Sequence, residues 1–117
     1  VAEVFVFGSN LAGRHGKGAA LFALQNHGAI YGVGWGRQGN SYAIPTKGFG
    51  KKRMPVLPLP LIHHFVLAFL DYAHKHPEDS FRVTPIGCGL AGYRPSQIAP
   101  MFNYAPMNVS LPYEFQF

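Results

Sequence analysis

The chain has 117 residues, 48% of them hydrophobic, with 14 glycines, 10 prolines and a formal net charge of +5. That length suits one packed domain, expected to span residues 1–117, and the composition excludes a disordered or fibrous chain. No apolar run reaches the roughly 18–20 residues of a membrane helix, no signal peptide is visible, and a single cysteine, Cys88, excludes an internal disulfide.

A reducing, cytoplasmic setting is the expectation from that cysteine usage. The chain starts at Val1 rather than at a methionine, so the loss of a few leading residues is expected. Charge carries more information. Residues 4–70 contain no carboxylate but hold seven cations: Arg14, Lys17, Arg37, Lys47, Lys51, Lys52 and Arg53. The acids Glu3, Asp71, Glu78, Asp79 and Glu114 all lie outside that span. Such segregation favours an anionic ligand over charge that serves solubility alone.

In chain order, Val4, Phe5, Val6 and Phe7 form an apolar, β-favouring run, followed at once by Gly8, Ser9, Asn10 and the glycine-rich stretch Gly13, Gly16, Lys17, Gly18, Ala19, Ala20. This reads as strand, glycine loop, helix, with the helix over residues 17–26 and Ala19, Ala20, Ala23 and Leu24 on its buried face. His27 and Gly28 end it. Gly28, Gly32, Gly34, Gly36 and Gly39 then alternate with Tyr31, Trp35 and Arg37. That pattern predicts either a flexible rim whose rings cover a base or sugar, or a long loop packing Trp35 on the core.

Residues 41–45 alternate as a strand ending at Pro45, with Thr46 and Lys47 just beyond. Residues 48–60 read as a basic, mobile loop. Leu61, Phe65, Ala68, Phe69 and Tyr72 recur at i, i+4, i+7, i+8 and i+11 and predict an amphipathic helix with that face buried. Its basic end at His74, Lys75 and His76 suits the helix dipole, and Pro77 stops it.

Residues 81–85 predict a short buried strand. Ile86, Gly87, Cys88, Gly89, Leu90, Ala91, Gly92 and Tyr93 then repeat the glycine-loop theme before a short helix opening at Pro95 and reaching about Phe102. Residues 109–111 and 113–117 predict the last strand. Strand, glycine loop and helix at both ends of the chain imply an α/β fold. The expected architecture is a central mixed sheet of five or six strands flanked by helices on both faces. Two such loops in one domain can converge on one ligand at the carboxyl ends of the strands, and a convergent pair suits a diphosphate.

With these motifs in view, the chain resembles a macrodomain. The resemblance rests on Gly8-Ser9-Asn10, on Gly16-Lys17-Gly18-Ala19-Ala20, on Ile44-Pro45-Thr46-Lys47 and on Ile86-Gly87-Cys88-Gly89-Leu90. It covers most of the chain, from the first strand to the helix after Tyr93. The nearest branch is similar to the terminal ADP-ribose glycohydrolase type, the DNA-directed antitoxin type and small macrodomain-like proteins of bacteria and their viruses. The resemblance implies ADP-ribose, or an ADP-ribosylated macromolecule, as partner. Gly8, Ser9, Asn10 and Thr46 would border the ligand, Asn10 at the distal ribose. Gly16, Lys17, Gly18 and Ala19 would form the first diphosphate loop, and residues 86–93 the second.

The same resemblance implies that Lys47 attacks the anomeric carbon. A lysine attacks only as the neutral amine, which requires desolvation or neighbouring cations. Arg14, Lys17, Lys51, Lys52 and Arg53 are the cations at hand. Two departures stand out. The glycohydrolase branch places an aspartate where this chain has Ala91, and the double-asparagine signature of many macrodomains is replaced by Gly8-Ser9-Asn10. His15 is the nearest residue to assist Lys47.

No cofactor and no metal are expected. The His63-His64 and His74-x-His76 pairs lack companions at ligand spacing and read as solvated helix surface. Cys88 is either a thiol acidified by helix N–H groups or a small packed residue. Tyr93 and Phe102 either stack on a base or pack in the core. Lys51-Lys52-Arg53 either touches nucleic-acid phosphates or is a solvated charge run. Three functions remain open: a hydrolase releasing ADP-ribose, a non-catalytic module binding ADP-ribose or a related nucleotide, and a nucleic-acid-binding accessory protein.

Overall fold

The computed structural model describes residues 1–50 and 53–116. The strands are β1 (Glu3–Asn10), β2 (Gly36–Gln38), β3 (Ser41–Lys47), β4 (Ser80–Val83) and β5 (Val109–Ser110). The helices are α1 (Gly18–Asn26), α2 (Leu59–Lys75) and α3 (Pro95–Ile98), with 3-10 turns at Ala99–Phe102 and Tyr113–Phe115. Among the described residues the five strands form one mixed sheet in the order β2-β3-β1-β4-β5. The fold is α/β, and β1 is its central strand.

β1 runs parallel to β3 on one side and to β4 on the other, and β5 continues the parallel ladder beyond β4. β2 alone is antiparallel, paired with β3 from Gly36↔Ala43 to Gln38↔Ser41. A strand flanked by parallel neighbours and covered on both faces needs apolar residues at successive positions, as the near-continuous run from Val4 to Phe7 supplies. The period-2 alternation then divides it. Val4 and Val6 enter one core with Tyr42, Ile44, Phe81 and Val83 under α2, α3 and the 3-10 turn after it. Phe5 and Phe7 enter a smaller core with Ala43 under Ala20 and Ala23 of α1. In the larger core Phe69 meets Tyr42, Phe81 and Phe102 edge-on at ring-centroid distances of 5.0, 5.6 and 6.5 Å, the geometry that aromatic quadrupoles favour.

The sequence pattern places α2 correctly and its buried face incorrectly. Ile62, Val66, Phe69, Leu70 and Ala73 are buried, whereas Leu61 and Ala68 are exposed and Phe65 and Tyr72 half-buried. The observed stripe has the same spacing displaced by one residue, a rotation of about 100°. Two apolar stripes share one helix, so periodicity alone cannot choose between them; the sheet does.

β3 extends two residues past the expected stop at Pro45. Pro45 lies beyond the last β2 pairing, and a strand tolerates a missing N–H where one edge is unpaired. The described residues 48–50 and 53–58 do not leave the sheet as a free loop. Gly48 N–H donates to Pro55 at 2.8 Å and Leu57 N–H to Thr46 at 2.9 Å, and Val56 bridges Lys47, so the segment folds back on the end of β3. The chain end is shorter in β structure than expected. Leu111 lies outside β5, and Tyr113–Phe115 is a 3-10 turn that buries Phe115 against Phe102. Lys51, Lys52 and Phe117, on which parts of the basic-loop and last-strand expectations fall, lie outside the described residues. Among the described residues no helix is long and apolar enough to cross a membrane.

Asp79 ties three strand ends together. Its Oδ1 accepts the Ala2 N–H at 2.9 Å, and its Oδ2 pairs with Arg37 at 3.3 Å. The Ala2 hydrogen bond, then that of Arg37 and its charge, hold the carboxyl below the ordinary aspartate range. A lowered folded pKa stabilises above the unfolded value, and the contribution is lost as pH falls through the folded value. An Asp79→Asn variant is therefore expected to be less stable than wild type in urea melts at pH 7. The gap should narrow as the pH falls from the ordinary aspartate value through the depressed folded one.

Candidate functional site

β1 and β4 are neighbours whose outgoing chains diverge. The chain leaves β1 for α1 on one face, and leaves β4 for α3 on the other. A crevice opens outside the carboxyl ends of strands at such a switch point. Here it is a cleft of about 870 Å³, within the usual range for small-molecule sites. Gly8, Ser9 and Asn10 at the end of β1, Thr46 and Lys47 at the end of β3, and residues 84–87 after β4 form its floor. Arg14 and residues 16–20 form one wall, Gly89, Leu90 and Ala91 another, and Tyr31, Arg53, Met54 and Val56 complete the rim.

Both walls present amide donors. α1 starts without a side-chain cap, and its first intrahelical bond runs from Leu21 to Lys17. Among the described residues no protein acceptor takes the N–H groups of residues 16–20. These carry the positive end of the helix dipole. Across the cleft, the N–H groups of Gly87, Gly89, Leu90 and Ala91 are likewise without a protein acceptor among the described residues. The loop holding them is braced from behind. Tyr93 N–H donates to Gly87 at 2.8 Å, Gly92 N–H to Gly89 at 3.0 Å, and the Tyr93 hydroxyl to Leu57 at 2.7 Å. Gly87 sits at φ +74°, a conformation that side chains resist, and an added Cβ would press on Ile98 at 3.2 Å. That residue therefore has to be glycine for the loop to turn.

The charge is one-sided. Among the described residues Arg14, Lys17, Lys47 and Arg53 line the cleft and no carboxylate does. Three of the five acids are paired elsewhere: Asp79 with Arg37, Asp71 with Lys75, and Glu3 with Arg82. A pocket lined by one sign of charge and by oriented amides attracts anions and holds them at fixed positions.

Most of the sequence-predicted ligand residues meet here, but four do not. His15 is fully buried outside the cleft, edge-on to Phe7. Its Nε2 lies 3.0 Å from the Val33 carbonyl and 3.1 Å from Gln38 Oε1. Both are acceptors, so Nε2 carries the hydrogen and the ring is a structural clamp rather than a partner of Lys47. Cys88 packs against the larger core, where burial, and secondarily Glu114, raise its thiol pKa. The acidified-nucleophile alternative fails on that account. Gly92 and Tyr93 stand behind the loop as braces.

Asn10 lines the cleft and also shapes its loop: Oδ1 accepts the Arg14 N–H at 2.9 Å and Nδ2 donates to the Arg14 carbonyl at 3.0 Å, which leaves one N–H and one lone pair of the amide for a ligand. Phe102 is core. Of the aromatic rim, Tyr31 reaches the cleft, Arg37 turns away to Asp79, and Trp35 is exposed and off both cleft and core. The missed rim residues Met54 and Val56 arrive through the fold-back onto β3, which left no signal in the sequence. Among the described residues no group of three or more His, Cys, Asp or Glu is placed to hold a metal ion.

No family model matches the sequence, and no curated protein matches it. Among solved structures, a protein of unknown function from Bacteroides thetaiotaomicron is similar in fold. It has 15% identity and a TM-score of 0.64, with 94% of this chain and 86% of that chain covered. At that identity the likeness concerns the fold alone.

Proposed function

We propose that the cleft binds ADP-ribose, with the diphosphate seated between the two glycine loops. One observation carries this: among the described residues, two loops whose N–H groups lack a protein acceptor line a single cleft, together with cations and no carboxylate. A doubly charged diphosphate uses both walls at once, whereas a single phosphate needs one. The resemblance of the loops to those of macrodomains points to the same ligand. Titration calorimetry with ADP-ribose tests the proposal, and absence of binding would refute it. Affinity should fall only modestly between low and moderate salt, because oriented amides at short range are screened weakly. A steep salt dependence would instead favour the nucleic-acid function.

Release of ADP-ribose from a modified macromolecule is a second reading, favoured by the position of Lys47 at the cleft end of β3 beside both loops. In this mechanism the neutral amine attacks the anomeric carbon, the glycosidic bond breaks, and water later hydrolyses the lysine–sugar adduct. Among the described residues no imidazole or carboxylate lines the cleft to deliver a proton to the leaving group. Binding is therefore the primary function proposed, and turnover is expected to be slow. Lys47→Ala should abolish release on ADP-ribosylated protein or DNA while leaving ADP-ribose affinity within about tenfold, ~1.4 kcal/mol. Borohydride added during turnover should trap the sugar on Lys47, and Ala91→Asp should raise the rate. Release unchanged in Lys47→Ala would end the nucleophile role.

A further inference from the structure

The aromatic loop between α1 and β2 is welded to the first glycine loop. Gly32 N–H donates to the Gly13 carbonyl at 2.8 Å, and the Ser9 hydroxyl donates to the Gly34 carbonyl. Gln38 reaches into the loop from β2: its Oε1 accepts the Ile30 N–H at 2.8 Å and its Nε2 donates to Val33 at 3.1 Å, while His15 holds Val33 from the other side. The backbone on both sides of Tyr31 is thus fixed, and its ring stays 62% exposed on the rim of the cleft. A rigidly mounted, solvent-facing aromatic beside an anion site is prepared to stack, since little conformational entropy remains to be lost.

The chemistry of this wall selects the kind of ring it meets. A sugar presents hydroxyls and calls for polar side chains. Two polar side chains at the foot of this wall already bond backbone, the Asn10 amide to Arg14 and the Ser9 hydroxyl to Gly34. The neighbours of Tyr31 in sequence, Ile30 and Val33, are exposed and apolar. Tyr31 therefore offers a planar face on the rim, beside amides without a protein acceptor among the described residues. We propose that Tyr31 is the specificity-determining residue of the cleft, its ring stacking on the base of a nucleotide whose diphosphate lies on the first glycine loop. The proposal rests on the anion-binding function of the same cleft and adds the group that is read beyond the phosphates.

The test is calorimetry of wild type, Tyr31→Ala and Tyr31→Phe with ADP-ribose, ADP and inorganic pyrophosphate. Because the side chain is exposed, both variants should fold. Tyr31→Ala is expected to weaken ADP and ADP-ribose about tenfold or more, as loss of one base–aromatic stack does, and to leave pyrophosphate unchanged. Tyr31→Phe should behave as wild type. Equal ADP affinity in wild type and Tyr31→Ala would overturn the proposal. So would a loss confined to ADP-ribose, which would place the ring on the terminal sugar. A wild type that binds pyrophosphate but holds ADP no more tightly would also overturn it while sparing the anion site. A wild type that binds none of the three would remove the anion site as well.

Discussion

A Gly89→Glu variant is expected to lose ADP-ribose affinity by about a hundredfold or more, ~2.7 kcal/mol, while melting within a few degrees of wild type. Gly89 faces the cleft, and a Cβ built on it meets nothing within 4 Å. Its φ lies outside the left-handed region, so a side chain there adds no backbone strain. The glutamate would occupy the space above the amides of residues 89–91 and draw the cleft's own cations away from the ligand. Separating binding from stability in this way is what identifies a binding loop. A variant that folds and binds as wild type would move the site off the second loop.

The second large effect is expected at Gly34, where Gly34→Ala should cost about 2–3 kcal/mol of stability, the size of an overpacked core site, and with it much of the affinity for ADP-ribose. Its added Cβ would stand 2.4 Å from the Asn10 carbonyl oxygen and 2.6 Å from that of Leu11. Both are backbone atoms of the segment joining β1 to the first glycine loop, so relief of the clash displaces that loop. The φ of Gly34 is not positive, which makes the variant a test of close packing rather than of strain. Gly16→Ala is the control, since its Cβ meets nothing within 4 Å and its φ is also not positive. Urea denaturation of the pair should separate them clearly. Equal midpoints and slopes for Gly34→Ala and wild type would show that the two loops are not locked together.

The inner strands β1, β3 and β4 and the two glycine loops were legible because each is a local property, whereas β2 lies in the stretch expected to be a rim or loop. The run from Val4 to Phe7 is apolar at every position, as a central parallel strand demands, and Gly87 and Gly89 follow the β4 segment directly. The segregation of cations from acids in residues 4–70 likewise survived folding as a cleft without carboxylates. These features depend on composition and order along the chain.

The tertiary structure decided whatever depends on which surface meets which. α2 carries two apolar stripes of identical spacing, and only contact with Tyr42, Phe81 and their neighbours selects the one through Ile62, Val66 and Phe69. His15 and Asn10 have side chains suited to catalysis or to ribose binding. Gln38 of β2 and Val33 of the loop before it hold Nε2 of the first, and the Arg14 backbone engages the second. Tyr31 and Trp35 look alike four residues apart in the sequence. The hydrogen bonds welding residues 30–34 to Ser9, Gly13 and His15 set the first at the cleft and leave the second outside it. Composition and order determined that glycine loops and cations would gather at the ends of the strands; long-range packing determined which side chains line the cleft between them.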